Sequence, residues 1–338
     1  MTESATTANE SLEASWRAAL TREDVESLLE LHDLHSWLSI AGNWALVFGS
    51  FALVALWPNP LLILLALFVI GARQLGFAVL MHEASHRTLL SGRRWNDRVG
   101  NWLCAYPIWS DLYPYRPYHL KHHARTGSED DPDIGLVRPF PITWASLRRK
   151  VWRDLSGQTG RNFAKGAWSR TFGRYAEDPI ARRAARGVLI SNAVLLALLA
   201  AAGRPELYVL WVVAWCTTHT LVTRIRSIAE HALTPDPDDP LGNTRTTVAR
   251  WWERLLLAPN RVNYHLEHHL LMTVPHYSLP RMHELLRQHR VLDRACVERG
   301  YWRTLQRAAA RPEDDASSHE TGSREAEDTS ELSQVNGL

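Results

Sequence analysis

The chain has 338 residues, 46% of them hydrophobic, and a formal net charge of +2. A balance so near neutrality gives no basic face for nucleic acid, and that class of partner is excluded. Its three cysteines, at 104, 216 and 296, form neither a C-x-x-C pair nor a disulfide framework, which favours a reducing compartment and argues against a thiolate metal site.

Two residue types are overused, histidine with 16 copies and tryptophan with 15. Tryptophan enrichment often marks membrane interfaces, where the ring lies at headgroup level. The mean hydropathy of -0.24 is that of a soluble protein, but an average hides short apolar spans.

Residues 1–18 read as a polar, disordered tail with no basic segment ahead of an apolar core, so no cleaved signal peptide is expected. "TREDVESLLELHDLH" follows with Thr21 and Asp24 at capping-box spacing and a helical repeat of Leu and Val, which predicts an amphipathic helix approaching the membrane. Residues 37–57 carry no charge, and at about 1.5 Å per residue they match a hydrocarbon core of roughly 30 Å. "PNP" turns the chain into a second span, 61–81, interrupted by Arg73 and Gln74. Arg73 lies on the order of 13 Å before His82 along a helix, and either packs against a partner or supports the histidines above it.

Residues 91–186 are polar and arginine-rich, apart from the island "NWLCAYPIW", which is too short to span. The aromatic stretch 102–118 suits either interfacial anchoring or the wall of an apolar tunnel. Apolar runs at 187–203 and 206–222 are joined only by a short turn, so the pattern predicts two antiparallel transmembrane hairpins. The joins hold one arginine between them, whereas the segments after spans two and four are rich in arginine. The positive-inside rule then places both termini in the cytoplasm, in a bacterial inner membrane. From 309 to 338 the chain is acidic, aperiodic and expected to be disordered. The expected fold is all-α: an integral membrane domain over 19–308 with about four transmembrane helices and a cytosolic helical portion carrying a two-metal site.

Three histidine clusters carry that expectation: "HEASH" (His82, His86), "HLKHH" (His119, His122, His123) and "HLEHH" (His265, His268, His269). Alone, H-E-x-x-H is the helix signature of zinc peptidases. Eight box histidines exceed what one zinc uses, since such sites close at about four ligands. Residues at i, i+3 and i+4 share a helical face, and neighbours within each array can diverge toward two ions. Imidazole suits iron, copper, nickel and zinc, so the ligand type does not choose the metal. His231, in "RSIAEH", is a ninth candidate, or else a surface pair with Glu230. His219 reads as a packing residue within the fourth span. His32, His35, His276, His283 and His289 lack array spacing and read as structural or surface residues, and His319 lies in the acidic tail.

Boxes of the form HxxxH, HxxHH and HxxHH resemble those of the membrane fatty acid desaturase superfamily. So do the stretches "YRPYHLKHHARTGSEDDPD", "RSIAEHA" and "NYHLEHHLLMTVPHYSLPRMH", and the likeness runs over about residues 30–290. The resemblance implies a non-haem pair of irons, O2 as oxidant and a lipid acyl chain as substrate. It also implies a further ligand shortly after the last span, which matches His231. Some members place an asparagine four residues earlier, where this chain has Ser227. Loss of two neighbouring hydrogens gives an alkene, and recombination with oxygen gives an alcohol. "HHARTGSEDDPD" also looks like the carotenoid ketolase and hydroxylase branches, so a lipid or carotenoid hydroxylase or ketolase is the alternative. More distant alternatives are a membrane zinc hydrolase with Glu83 as general base and a metal-binding scaffold without turnover.

Ligating imidazoles commonly donate their other N–H to a carboxylate. Glu83, Glu230 and Glu267 each adjoin a box histidine or His231, and Asp130, Asp131 and Asp133 follow the second box, so each is a candidate partner. The chain has no haem module, cysteine-rich iron site or G-x-G-x-x-G motif. Electrons are therefore expected from a separate ferredoxin, rubredoxin or b-type cytochrome with its reductase. Arg148, Arg149, Lys150, Arg182 and Arg183 either dock that acidic carrier or serve orientation alone.

Overall fold

A computed structural model of the chain describes residues 16–172 and 178–311. It is 71% helix. Helix α1 (Arg22–Leu29) starts at Thr21, whose hydroxyl accepts from the Asp24 amide while the Asp24 carboxylate accepts from the Thr21 amide. Helices α2 (Asp33–Leu56) and α3 (Pro60–His86) form the first hairpin. Asn59 starts α3 by accepting from the Leu62 amide, with Pro60 in the first turn, where a missing N–H costs nothing. With 27 residues α3 is about 40 Å long, longer than a hydrocarbon core of about 30 Å requires, and its last turns carry the first histidine box.

Helix α4 (Arg93–Val99) runs into a π-helical turn at Gly100–Ala105, and α5 (Leu112–Arg125) carries the second box. Short α6 (Ile134–Val137), α7 (Trp144–Leu155) and α8 (Gln158–Phe172) lead to α9 (Pro179–Ala201), α10 (Tyr208–Cys216) and α11 (Thr218–His231). Strand β1 (Thr246–Val248), α12 (Trp251–Leu256), α13 (His265–Leu270), α14 (Leu279–Gln288), β2 (Val297–Arg299) and α15 (Tyr301–Ala308) follow among the described residues. The two strands pair in parallel, Thr246 opposite Val297 and Val248 opposite Arg299, a feature the all-α expectation omitted.

Among the described residues, α2, α3 and α9 are long and apolar enough to cross a membrane. The fourth expected span, 206–222, is not one continuous helix but divides at Thr217 into α10 and α11. The reason lies in "CTTHT". The Thr217 hydroxyl donates to the Val213 carbonyl, and Thr218 reaches across to the Leu67 carbonyl of α3 at 2.6 Å, so side chains compete for helix acceptors at the break.

Close approach of α3 fixes the same point. A Cβ on Gly71 would lie 2.2 Å from Thr218 Oγ1 and 2.7 Å from the His219 backbone nitrogen. Gly71→Ala is expected to cost about 1–3 kcal/mol by overpacking, read as a lowered Tm of the detergent-solubilised protein. An unchanged Tm would refute the tight crossing.

Arg73, also on α3, is buried and donates to Asn43 Oδ1 and to the Leu255 carbonyl, and it touches no box histidine. Trp16 and Ala309, which the expected boundaries assigned to the tails, are buried. Within the two expected tails, residues 1–15 and 312–338, with His319, lie outside the described residues.

Candidate metal centre

Four segments far apart in sequence deliver the nine histidines. The C-terminal turns of α3 bring His82 and His86, α5 brings His119, His122 and His123, α11 ends on His231, and α13 brings His265, His268 and His269. Their ring nitrogens form two groups, each with its ligand-type atoms within 4.8 Å of one another. The first group is His82, His86, His119, His123 and His268, and the second is His122, His231, His265 and His269. Each H-x-x-H-H array is split: on α5 His119 and His123 serve the first group and His122 the second, while on α13 His268 serves the first and His265 and His269 the second. The groups abut, with the His123 and His269 rings stacked at 4.2 Å.

The spacing suits a shared cation. In the first group His119 Nε2 lies 3.0 Å from His86 Nε2 and 2.9 Å from His123 Nε2, which is 3.0 Å from His268 Nε2. In the second, His265 Nε2 lies 2.8 Å from His231 Nε2 and 3.1 Å from His269 Nε2. Imidazoles bound at about 2.1 Å and at right angles would hold their nitrogens about 3 Å apart. One nitrogen facing two others cannot satisfy both through a single N–H, whereas an ion between them satisfies all three. Among the described residues, neither ring nitrogen of buried His82 has a hydrogen-bond partner. Burial, together with neighbouring positive charge, holds His119, His123, His231, His265, His268 and His269 well below the ordinary imidazole range, so they present the neutral form that metals bind.

A profile of the fatty acid desaturase family matches residues 55–301. The chain belongs to the fatty acid desaturase family. As a member of it the protein is an oxidoreductase, and the family generally uses a di-iron centre. It is 28% identical over 250 residues to the dihydrorhizobitoxine desaturase of Bradyrhizobium elkanii, an alignment covering 70% of this chain and 69% of that one. To the sn-1 oleoyl-lipid 12-desaturase of Picosynechococcus sp. it is 24% identical over 286 residues, covering 78% of this chain and 79% of the relative. The beta-carotene ketolase of Paracoccus sp. is 32% identical, but over 90 residues, a quarter of this chain and 35% of that relative.

The desaturase fold distributes the predicted carboxylates unevenly. Asp131 Oδ1 receives His122 Nδ1 at 2.8 Å, and its two oxygens also accept the Gly127 and Asp133 amides. Asp133 lies 3.6 Å from the same His122 nitrogen, whereas Asp130 is exposed. Burial lowers the His122 pKa, but the bond to Asp131 and the charges of Asp133 and Asp131 outweigh it, and the net shift is upward. Glu83 lies 3.5 Å from His82 Nδ1, and its other oxygen accepts from the His276 amide and the Thr88 hydroxyl. Glu230 is buried, pairs with Arg226 and lies 3.5 Å from His265 Nε2, and half-buried His231 faces His265, so the two do not form a surface pair. Glu267 is brought to no box histidine, and its partners are His283 and Thr246. His219 is buried on α11 outside both groups.

Some positioning contacts had no sequence signal. Arg116, on α5, donates to the Ala84 and Ser85 carbonyls at the end of α3 while pairing with Asp97, which ties the second-box helix to the first-box helix. Asn96 joins the same junction, accepting the Leu89 and Leu90 amides and donating to the Ala84 carbonyl. A cavity of about 160 Å³ opens onto His119, His122, His231 and His265. Its walls include Tyr115, Tyr118, Phe163, Ser227 and Lys150, so part of the aromatic stretch lines the cavity, while Trp102 is exposed. Arg183, expected at a carrier dock, lies over the Tyr113 ring and 3.6 Å from Asp111.

Proposed function

We propose that this chain is an O2-dependent desaturase that introduces a double bond into a lipid acyl chain. The observation that carries the reading is the convergence of nine buried or half-buried histidines into two abutting groups at one end of an apolar helix. On this reading each group holds one iron. Bound there, the irons would supply the two-electron activation of O2 and the removal of hydrogen from an unactivated C–H bond. Overall, two substrate hydrogens, two electrons and two protons convert O2 to two waters as the alkene forms. The electrons come from a separate carrier (a ferredoxin, a rubredoxin or a b-type cytochrome with its reductase).

The residues of the chain supply binding, orientation and exclusion of water. Asp131 orients His122, and Tyr115 stacks on His119 with ring centroids 5.2 Å apart, covering one face of that imidazole. The cavity walls Tyr118, Phe163 and Ile228 are suited to an acyl segment lying beside His119, His122, His231 and His265. The oleoyl-lipid relative, aligned over more than three-quarters of both chains, favours an acyl lipid substrate. The ketolase alternative is weaker because that relative aligns over a quarter of this chain. A zinc hydrolase is weaker still, since its general base, Glu83, is occupied by His276 and Thr88 and the four histidines of the second group would have no role. In the membrane we place both hairpins, with α10 and α11 as a broken fourth crossing and both termini on the cytosolic side.

Mass spectrometry of acyl chains from cells expressing the protein tests this, with cells lacking it as reference. The expected result is a new unsaturated acyl chain, and purified protein should contain iron. Hydroxylated or keto products would transfer the reading to the alternative branch, and one zinc without iron would overturn it.

A further inference from the structure

We infer that Glu267 and His283 form a rotational lock on α13 that sets both histidine groups at once; the inference rests on reading those groups as metal sites. Helix α13 has six residues and contributes three of the nine histidines. A helix this short is not stable alone, so outside contacts must fix its orientation. At about 100° per residue, His265, His268 and His269 share one face, and Glu267 projects from roughly the opposite one. The two faces are thus a ligand face and an anchor face of one rod. Because His268 serves the first group while His265 and His269 serve the second, any rotation of α13 displaces nitrogens in both.

The anchor face is held by polar bonds in a buried setting. The Glu267 side chain is fully buried. His283, on α14, donates through Nδ1 to Glu267 Oε1 at 2.5 Å, and the Thr246 hydroxyl of β1 donates to Oε2. The same Thr246 oxygen accepts the Leu266 amide at 3.2 Å, gripping the first turn of α13 from a second direction. Leu266 and Leu270 pack with Leu279, Met282 and Leu286 of α14. Apolar contacts of this kind resist separation but tolerate rotation, whereas a carboxylate bonded on both oxygens does not. His283 acts through Glu267 and is therefore a positioning residue.

Iron titration of the full-length detergent-solubilised chain tests the lock, with the Tm of the metal-free protein measured alongside. His283→Leu removes the donor and is expected to weaken both iron-binding steps together, by about tenfold, near the lower end known for partners of metal ligands. His283→Asn places an amide N–H where Nδ1–H was, and is expected to restore binding to within about twofold, since one neutral-to-charged hydrogen bond is retained. Thr246→Val, nearly isosteric, should give the same paired weakening to a smaller extent, and it keeps the test open if His283→Leu fails to fold. Wild-type binding in Thr246→Val would overturn the lock, as would loss of only one step in His283→Leu. So would failure of His283→Asn to restore binding, or a fall in metal-free Tm with iron affinity unchanged. Wild-type protein that binds no iron would instead overturn the metal-site reading itself.

Discussion

His269→Ala is expected to abolish product and to lose more iron than His268→Ala, although the two residues are adjacent and their substitutions identical. The difference follows from how the array is divided. His268 belongs to the group of five histidines and His269 to the group of four. Removing His268 leaves four imidazoles, a number that closes many sites, whereas removing His269 leaves three. Activity should fall in both variants, because the proposed reaction needs both ions, and several kcal/mol of lost stabilisation is a factor of at least about 10³ in rate. Iron per purified chain and product by mass spectrometry are the two readouts. Greater iron loss in His268→Ala would show that the array is divided the other way. Substantial product from either variant would show that one group suffices.

That division was only half legible in the sequence. Spacing at i, i+3 and i+4 makes convergence readable, and it allows neighbours to diverge, but it does not say which neighbour meets which partner. The assignment depends on where α3, α5, α11 and α13 lie relative to one another, which local periodicity does not encode. Asp131 and Asp130 illustrate the same limit: both follow the second box, yet one is buried against His122 and the other is exposed. Arg116 had no signal, because its acceptors are backbone carbonyls of another helix.

Other differences do carry a signal in the sequence. A helical wheel places Glu267 opposite its histidine neighbours, so adjacency in sequence was the wrong measure of contact. His283 lacked array spacing because its partner lies on another element. A hydropathy window treats 206–222 as one span because it sums apolarity and ignores hydroxyls that compete for helix acceptors at "CTTHT". The strands β1 and β2 are three residues each, too short for alternation to emerge. Long helices were the easiest to read, since α2, α3 and α9 are set by length and apolarity alone.

Asp131→Asn is expected to weaken metal binding about 10–100-fold, the range found when the carboxylate behind a ligating histidine is removed. Asp131 accepts three bonds, from His122 Nδ1, the Gly127 amide and the Asp133 amide. An asparagine can offer its oxygen to His122 and Asp133, but its NH₂ then faces the Gly127 N–H, donor against donor. The substitution also changes the pH dependence, with a sign fixed by the His122 shift. In the metal-free protein that pKa is raised above the ordinary imidazole value, so a proton competes with the metal on His122 up to a higher pH than on an unperturbed imidazole. Wild-type affinity should therefore rise with pH through the raised pKa and level off above it. In Asp131→Asn the upward shift is diminished, the levelling-off moves to lower pH, and the plateau is lower. The two affinities should converge on acidification and separate most at alkaline pH. Iron titrations at several pH values on either side of 6.5 measure this directly. A gap that stays constant, or widens as pH falls, would show that Asp131 acts on the fold of the 126–133 loop and not through the His122 imidazole.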